Sequence, residues 1–169
     1  MNIMNSAVDD MPEIFRLYRL ATAFQKERFP ENQWPTFEEA LIAAEIAEKR
    51  QFKLMVGDRV ACVWAIAFSD PEIWTEDDGQ SAIYIHRIAT NPDFRGNNYV
   101  KLIVDWAKAT YAGTKKYIRL DTCGENHKLI QHYKNCGFDF LGIKRLENAL
   151  NLPVHYHNAD VCYFEITLG

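Results

Sequence analysis

The residues best placed to do chemistry cluster between Ile83 and Ala107, in the run IYIHRIATNPDFRGNNYVKLIVDWA. A β-branched apolar strand ends at Pro92, the loop Arg95-Gly96-Asn97-Asn98 follows, and an amphipathic helix then begins. Such a loop aims several unpaired backbone N–H groups at one point, and the helix dipole adds partial positive charge there. The arrangement suits a phosphate or pyrophosphate. Within the strand, His86 carries an imidazole that titrates near neutrality and can accept a proton. Further on, Asn126 and Tyr133 stand seven residues apart, so they share one helical face. That face offers an amide and a phenol together.

Stepping from these groups to the elements that hold them, Asp9 to Gln25 has apolar residues at helical spacing, with Asp9 or Asp10 as cap and Pro12 in the first turn. Thr36, followed three residues later by Glu39, forms the pattern of a capping box for a helix through Ala47. Phe52–Val56 and Val60–Phe68 flank Gly57-Asp58-Arg59 and predict a β-hairpin. A polar loop from Ser69 to Gln80 leads to a strand over Ala82–Thr90, and a helix runs from about Asn98 to Tyr111. Tyr117–Asp121 predicts a strand, Glu125–Asn135 a helix stopped by Gly137, and Phe138–Ile143 and Val154–Thr167 the last strands. With a short first strand over Ile3–Ala7, the order is β-α-α-β-β-β-α-β-α-β-β. This is an α/β chain with a mixed sheet and helices on both faces.

The 169 residues fit one domain, 1–169, and a composition 48% hydrophobic and 13% aromatic excludes a disordered chain. No apolar run approaches the ~20 residues that span a bilayer, and MNIMNSAVDD lacks a signal-peptide pattern, so a cytoplasmic protein with no membrane partner is expected. The net charge of −4 and the scattered basic residues argue against nucleic acid as a partner. Cys62, Cys123, Cys136 and Cys162 show no CxxC pairing and read as reduced core thiols. His155 and His157, with Cys162 nearby, lack a zinc spacing, so no metal is expected; they are candidates for lining a cleft.

Three pieces in order resemble the GNAT superfamily of N-acetyltransferases, over Ile3 to about Phe164. The strand-loop-helix signature R/Q-x-x-G-x-G/A falls on Arg95-Gly96-Asn97-Asn98-Tyr99-Val100, a strand plus Asn falls on IRLDTCGEN ending at Asn126, and Tyr-x-x-x-Gly-Phe falls on Tyr133, Gly137 and Phe138. The first piece departs from the pattern, since Asn98 and Val100 stand where Gly or Ala is usual. Asn tolerates positive φ, whereas the branched Val100 side chain would crowd a pyrophosphate. The resemblance implies a mostly antiparallel central sheet, splayed at a cofactor cleft.

It also implies acetyl-CoA as acetyl donor. The pantetheine arm would pair with the backbone of Ile88, Ala89 and Thr90, and the pyrophosphate would sit on the N–H groups of Arg95, Gly96, Asn97, Asn98, Tyr99 and Val100. Asn126 would cap its helix, touch the pantetheine, or both. Tyr133 would protonate the departing thiolate. The string YIHRIAT resembles the paired-histidine strand of serotonin N-acetyltransferase, which makes His86 the candidate base, against an alternative as a core histidine. Strand alternation puts Tyr84, His86, Ile88 and Thr90 on one face and Arg87 on the other, where it is expected to pair with a carboxylate such as Asp121.

The family usually builds its acceptor pocket from the first two helices, their joining loop and the loop after the third strand. Here those hold Phe24, Phe29, Trp34, Trp74, Glu72, Glu76, Asp77 and Asp78, and the carboxylates would favour a cationic amine. The expected activity is acetyl transfer to a primary amine of a small molecule. Alternatives are a non-catalytic CoA-binding or interaction module, and an acetyltransferase acting on a protein lysine or N-terminus. A homodimer is an open possibility.

Overall fold

The computed structural model describes residues 1–75, 81–147 and 150–169. Seven strands form a mixed, mostly antiparallel open sheet in the order β1-β2-β3-β4-β5-β7-β6. They are β1 (Asn2–Asn5), β2 (Gln51–Val56), β3 (Arg59–Ala67), β4 (Ala82–Thr90), β5 (Tyr117–Cys123), β6 (Asp139–Arg145) and β7 (Asp160–Thr167). Four α-helices accompany them: α1 (Met11–Arg28), α2 (Glu39–Ala47), α3 (Tyr99–Tyr111) and α4 (His127–Asn135). The chain divides into two compact units, Met1–Ile66 with His86–Tyr99, and Ala67–Ile85 with Val100–Gly169.

In the first unit, β1, β2 and β3 pair antiparallel, and Gly57 at φ 63° turns the β2–β3 hairpin. Met11, Ile14, Leu17 and Tyr18 of α1 recur at helical spacing and pack with Phe37, Ile42 and Ile46 against Val63 and Ala89. Trp34 joins them, edge-on to both Tyr18 and Phe37 at 5.9 Å between centroids. It is therefore a packing residue of this core. The Thr36–Glu39 capping box does not form: α2 starts at Glu39, its N-cap is Glu38 in extended conformation, and no side chain caps it. Asp10 likewise donates no cap to α1; its carboxylate accepts from Ala7 N and pairs with Lys53 at 2.7 Å.

In the second unit, β4 pairs parallel with β5 over Ala82–Tyr84, and β5 and β6 each pair antiparallel with β7. Ile73, Trp74, Tyr84, Leu146, Val161 and Tyr163 form its core. The last strand begins at Asp160, not Val154. Val154–Tyr156 is a 3-10 turn after Pro153, whose fixed φ starts a turn rather than a strand. His155 and His157 therefore do not share a strand face: His155 stacks on Tyr156 at 4.2 Å, and His157 Nε2 meets the Leu152 carbonyl at 2.9 Å.

Candidate active site

The end of β4 and the loop after it are fixed by Asn91, which is 2% exposed. Its backbone N–H donates to Ala61 O at 2.9 Å, its Nδ2 to Val60 O at 2.9 Å, and its Oδ1 accepts from Asp93 N at 3.2 Å. A buried amide with its groups satisfied is a rigid joint, and it turns the chain into the short 3-10 segment Pro92–Phe94. Sequence reasoning passed over Asn91. The signal was Asn before Pro at a strand end, a turn initiator.

Past this joint, Gly96 takes φ 86° and Asn98 φ 49°. Asn98 thus adopts the left-handed conformation that glycine usually supplies in the signature, and the loop keeps its shape. Asn97 Nδ2 bonds Phe94 O at 2.8 Å, and Arg95 lies over the Phe24 ring at 4.6 Å. Tyr99 is buried at the start of α3, Val100 follows half-buried, and Arg95 to Asn98 are exposed.

Along β4, Ala89 packs into the α1–α2 core, Ile88 is half-buried, and Thr90 Oγ1 meets Cys62 Sγ at 3.6 Å. Arg87 has φ 52°, which interrupts the extended backbone on which simple alternation from Tyr84 to Thr90 depends. Its carboxylate partner is Glu45 of α2, not Asp121. The guanidinium also approaches the Tyr18 hydroxyl at 3.5 Å and covers Phe37 at 5.2 Å. His86 is half-buried by surface yet surrounded by protein. Burial, with the charges of Arg87 and Arg50, lowers its pKa from 6.5 to about 3. The imidazole is neutral throughout the physiological range.

In the second unit, Asn126 is the N-cap of α4, its Oδ1 accepting from Leu129 N at 3.1 Å. Its Nδ2 makes no hydrogen bond among the described residues and remains a donor. Tyr133, on the same helix face, is half-buried, with its ring 5.0 Å from Phe164 and 6.0 Å from Phe138. Gly137 at φ 103° ends the helix and lets Phe138 N bond back to Tyr133 O at 3.2 Å.

Alternation on β5 places Arg119, Asp121 and Cys123 on one face, opposite Glu165, Tyr163 and Val161 of β7. Arg119 bonds Glu165 at 2.8 Å and Tyr84 at 3.1 Å and lies over Trp74 at 4.7 Å. Asp121 Oδ2 accepts from the Tyr156 hydroxyl at 2.8 Å. Burial raises the Asp121 pKa from 3.8 to about 6, opposed by Tyr156 and Trp74. Of the residues expected at the acceptor pocket, Trp74 packs on Tyr163 and Tyr84, Phe24 takes Arg28 and Arg95 over its ring, and Phe29 and Glu72 are exposed. Glu76, Asp77 and Asp78 lie outside the described residues. The four cysteines are free thiols, with burial pushing Cys62 up to about 12. No helix among the described residues is long and apolar enough to cross a membrane.

Residues 9–138 match the acetyltransferase (GNAT) family, and the chain belongs to that family. The family's reaction is acetyl transfer from acetyl-CoA. An uncharacterized N-acetyltransferase of Bacillus subtilis, YesJ, is 30% identical over 74 residues, a stretch covering 43% of this chain and 41% of that protein. A GNAT-family acetyltransferase of Listeria monocytogenes shares the fold at a TM-score of 0.76 and 22% identity, over 99% of this chain and 94% of that one. A spermidine N-acetyltransferase of Vibrio cholerae, solved with CoA and spermine, shares it at 0.69 and 16% identity, over 99% and 95%.

Proposed function

We propose that this protein transfers the acetyl group of acetyl-CoA to a primary amine of a small molecule by direct attack. The observation that supports this most is the loop Arg95–Asn98. Gly96 and Asn98 both hold positive φ immediately before α3, so the loop has the turn that glycine usually supplies, which supports a pyrophosphate site at this helix start. Arg95, Gly96, Asn97, Asn98, Tyr99 and Val100 would cradle the pyrophosphate. The backbone of Ile88, Ala89 and Thr90, beyond the stretch of β4 paired with β5, would receive the pantetheine arm as an added strand. Asn126, its Oδ1 occupied by the helix cap, would offer Nδ2 to a pantetheine carbonyl.

Attack by the neutral amine forms a tetrahedral intermediate. Its collapse expels the CoA thiolate, which Tyr133 would protonate, and His86 would take the proton of the attacking nitrogen. A neutral imidazole can accept this proton, though a pKa of about 3 makes it a weak base. The same cofactor site could serve a protein lysine or N-terminus, and the acceptor decides between them.

Thiol release from acetyl-CoA, followed over a panel of small amines and lysine peptides, tests the reading. Turnover with at least one small amine is expected, and Tyr133→Phe should abolish most of it. Tight acetyl-CoA binding with no thiol release from any acceptor would overturn it in favour of a binding module; release with peptides alone would move it to a protein substrate.

A further inference from the structure

Asp121 is a carboxylate set among aromatic rings. Tyr163 stands directly across the β5–β7 pair from it, Tyr156 donates its hydroxyl at 2.8 Å, and Trp74 packs edge-on to Tyr163 at 4.9 Å. An Asp70 oxygen lies within 4.8 Å of an Asp121 oxygen and adds a second negative charge. No lysine or arginine among the described residues pairs with Asp121. The nearest guanidinium on its own strand face, Arg119, is held by Glu165.

The indole N–H of Trp74, in a residue 8% exposed, faces the same carboxylate without completing a hydrogen bond. This polar group is buried and aimed into the site. A buried carboxylate without a cationic partner carries a desolvation penalty that a cation would relieve. Asp121 nevertheless keeps some solvent-accessible surface.

We infer that Asp121, walled by Trp74, Tyr156 and Tyr163, is the anchor for the ammonium of a cationic amine. If the protein is the acetyltransferase proposed above, that amine is the acceptor and sheds its ammonium proton to solvent before the nitrogen attacks; the binding site itself does not depend on this. A neutral alcohol of the same length would gain none of the charge term, and an anion would be repelled by Asp121 and Asp70.

The test uses n-butylamine and n-butanol as probes of the full chain, with binding read by NMR and titration calorimetry. The amine should shift resonances around Asp121 and Tyr156, and the alcohol should not. Asp121→Asn, which keeps the side-chain volume, should weaken the amine by about tenfold or more. A cooperative thermal melt of Asp121→Asn without amine separates loss of the anchor from loss of folding. Equal binding of amine and alcohol, unchanged affinity in Asp121→Asn, or no response to the amine would each overturn the inference. Thiol release from acetyl-CoA is measured in parallel. Amine binding at Asp121 with no thiol release from any acceptor of the panel would sink the transferase reading and leave this site standing.

Discussion

Tyr133 and Asp121 carry the sharpest expectations at the scale of single residues. Tyr133→Phe removes one hydroxyl and leaves the ring contacts with Phe138 and Phe164, so folding and acetyl-CoA affinity should persist. Turnover should fall by something like 10²-fold, as for other single acid–base groups; a loss under threefold in kcat would remove Tyr133 from the chemistry. For Asp121, the folded-state pKa of about 6 exceeds the ordinary aspartate value of 3.8. The folded protein therefore binds this proton more tightly than the unfolded chain. Its contribution is fully present below pH 3.8 and is lost as pH rises through about 6. Asp121→Asn has no such loss, so it should be more stable than the wild type at pH 8, by roughly 1–3 kcal/mol, with the gap closing toward pH 4. Denaturant melts of both proteins across that range measure it. His86 acts in the opposite sense: its lowered pKa removes stability as pH falls from 6.5 toward about 3. The wild-type profile alone mixes the two, which is why the comparison needs the Asn variant. The imidazole value also means that an acidic limb of the rate profile near pH 6 would not belong to His86; its loss in Asp121→Asn would assign it.

At the scale of elements, the loop between β4 and α3 is where one dihedral sets the backbone shape. Asn98 sits at φ 49°, tolerable for asparagine and free of strain for glycine, but costly for a branched residue. Asn98→Gly should leave acetyl-CoA affinity unchanged or raised. Asn98→Val should destabilise the fold by about 1–2 kcal/mol and weaken the cofactor together with it. Thermal melts and titration calorimetry on the pair decide this, and a fully stable, tightly binding Val variant would mean that the loop shape does not matter. This element was legible because glycine-like chemistry leaves a signature in the sequence. Other ends were not. Thr36 and Glu39 have the spacing of a capping box, yet α2 begins three residues after Thr36, because Phe37 is drawn into the core with Tyr18 and Trp34. Packing of an aromatic outweighed a local cap worth about 1 kcal/mol. Arg87 was expected across the sheet from Asp121, but the positive φ at its own position and the buried Glu45 of α2 redirect it. Neither is written in the local sequence, since both depend on which helix lies against the strand.

For the whole molecule, element order carried the fold: among the described residues the seven strands and four helices come in the order that periodicity and turn residues predict, with shifted ends, chiefly an α2 that begins at Glu39 and a last strand that begins at Asp160. What local pattern could not supply was the partner of each buried polar group. Asp121 reads in sequence as one more charge in RLDTC; its chemistry comes from Tyr156 and Trp74, 35 and 47 positions away. The global consequence open to direct measurement is ligand-linked stability. A ligand that binds only the folded state stabilises it by mass action, by about 2.7 kcal/mol at a hundred times its Kd. For a chain of this size each kcal/mol moves Tm by roughly 2–4 °C, so saturating acetyl-CoA should raise it by about 5–10 °C. The shift should grow with the logarithm of ligand concentration and shrink with salt, because phosphate charges supply part of the attraction. Pantetheine, which has the arm without the phosphates, should give a smaller rise and little salt dependence. If CoA and pantetheine shift Tm equally, the Arg95–Val100 loop does not hold the pyrophosphate, and if neither shifts it at millimolar concentration, the protein keeps the family's fold without its cofactor.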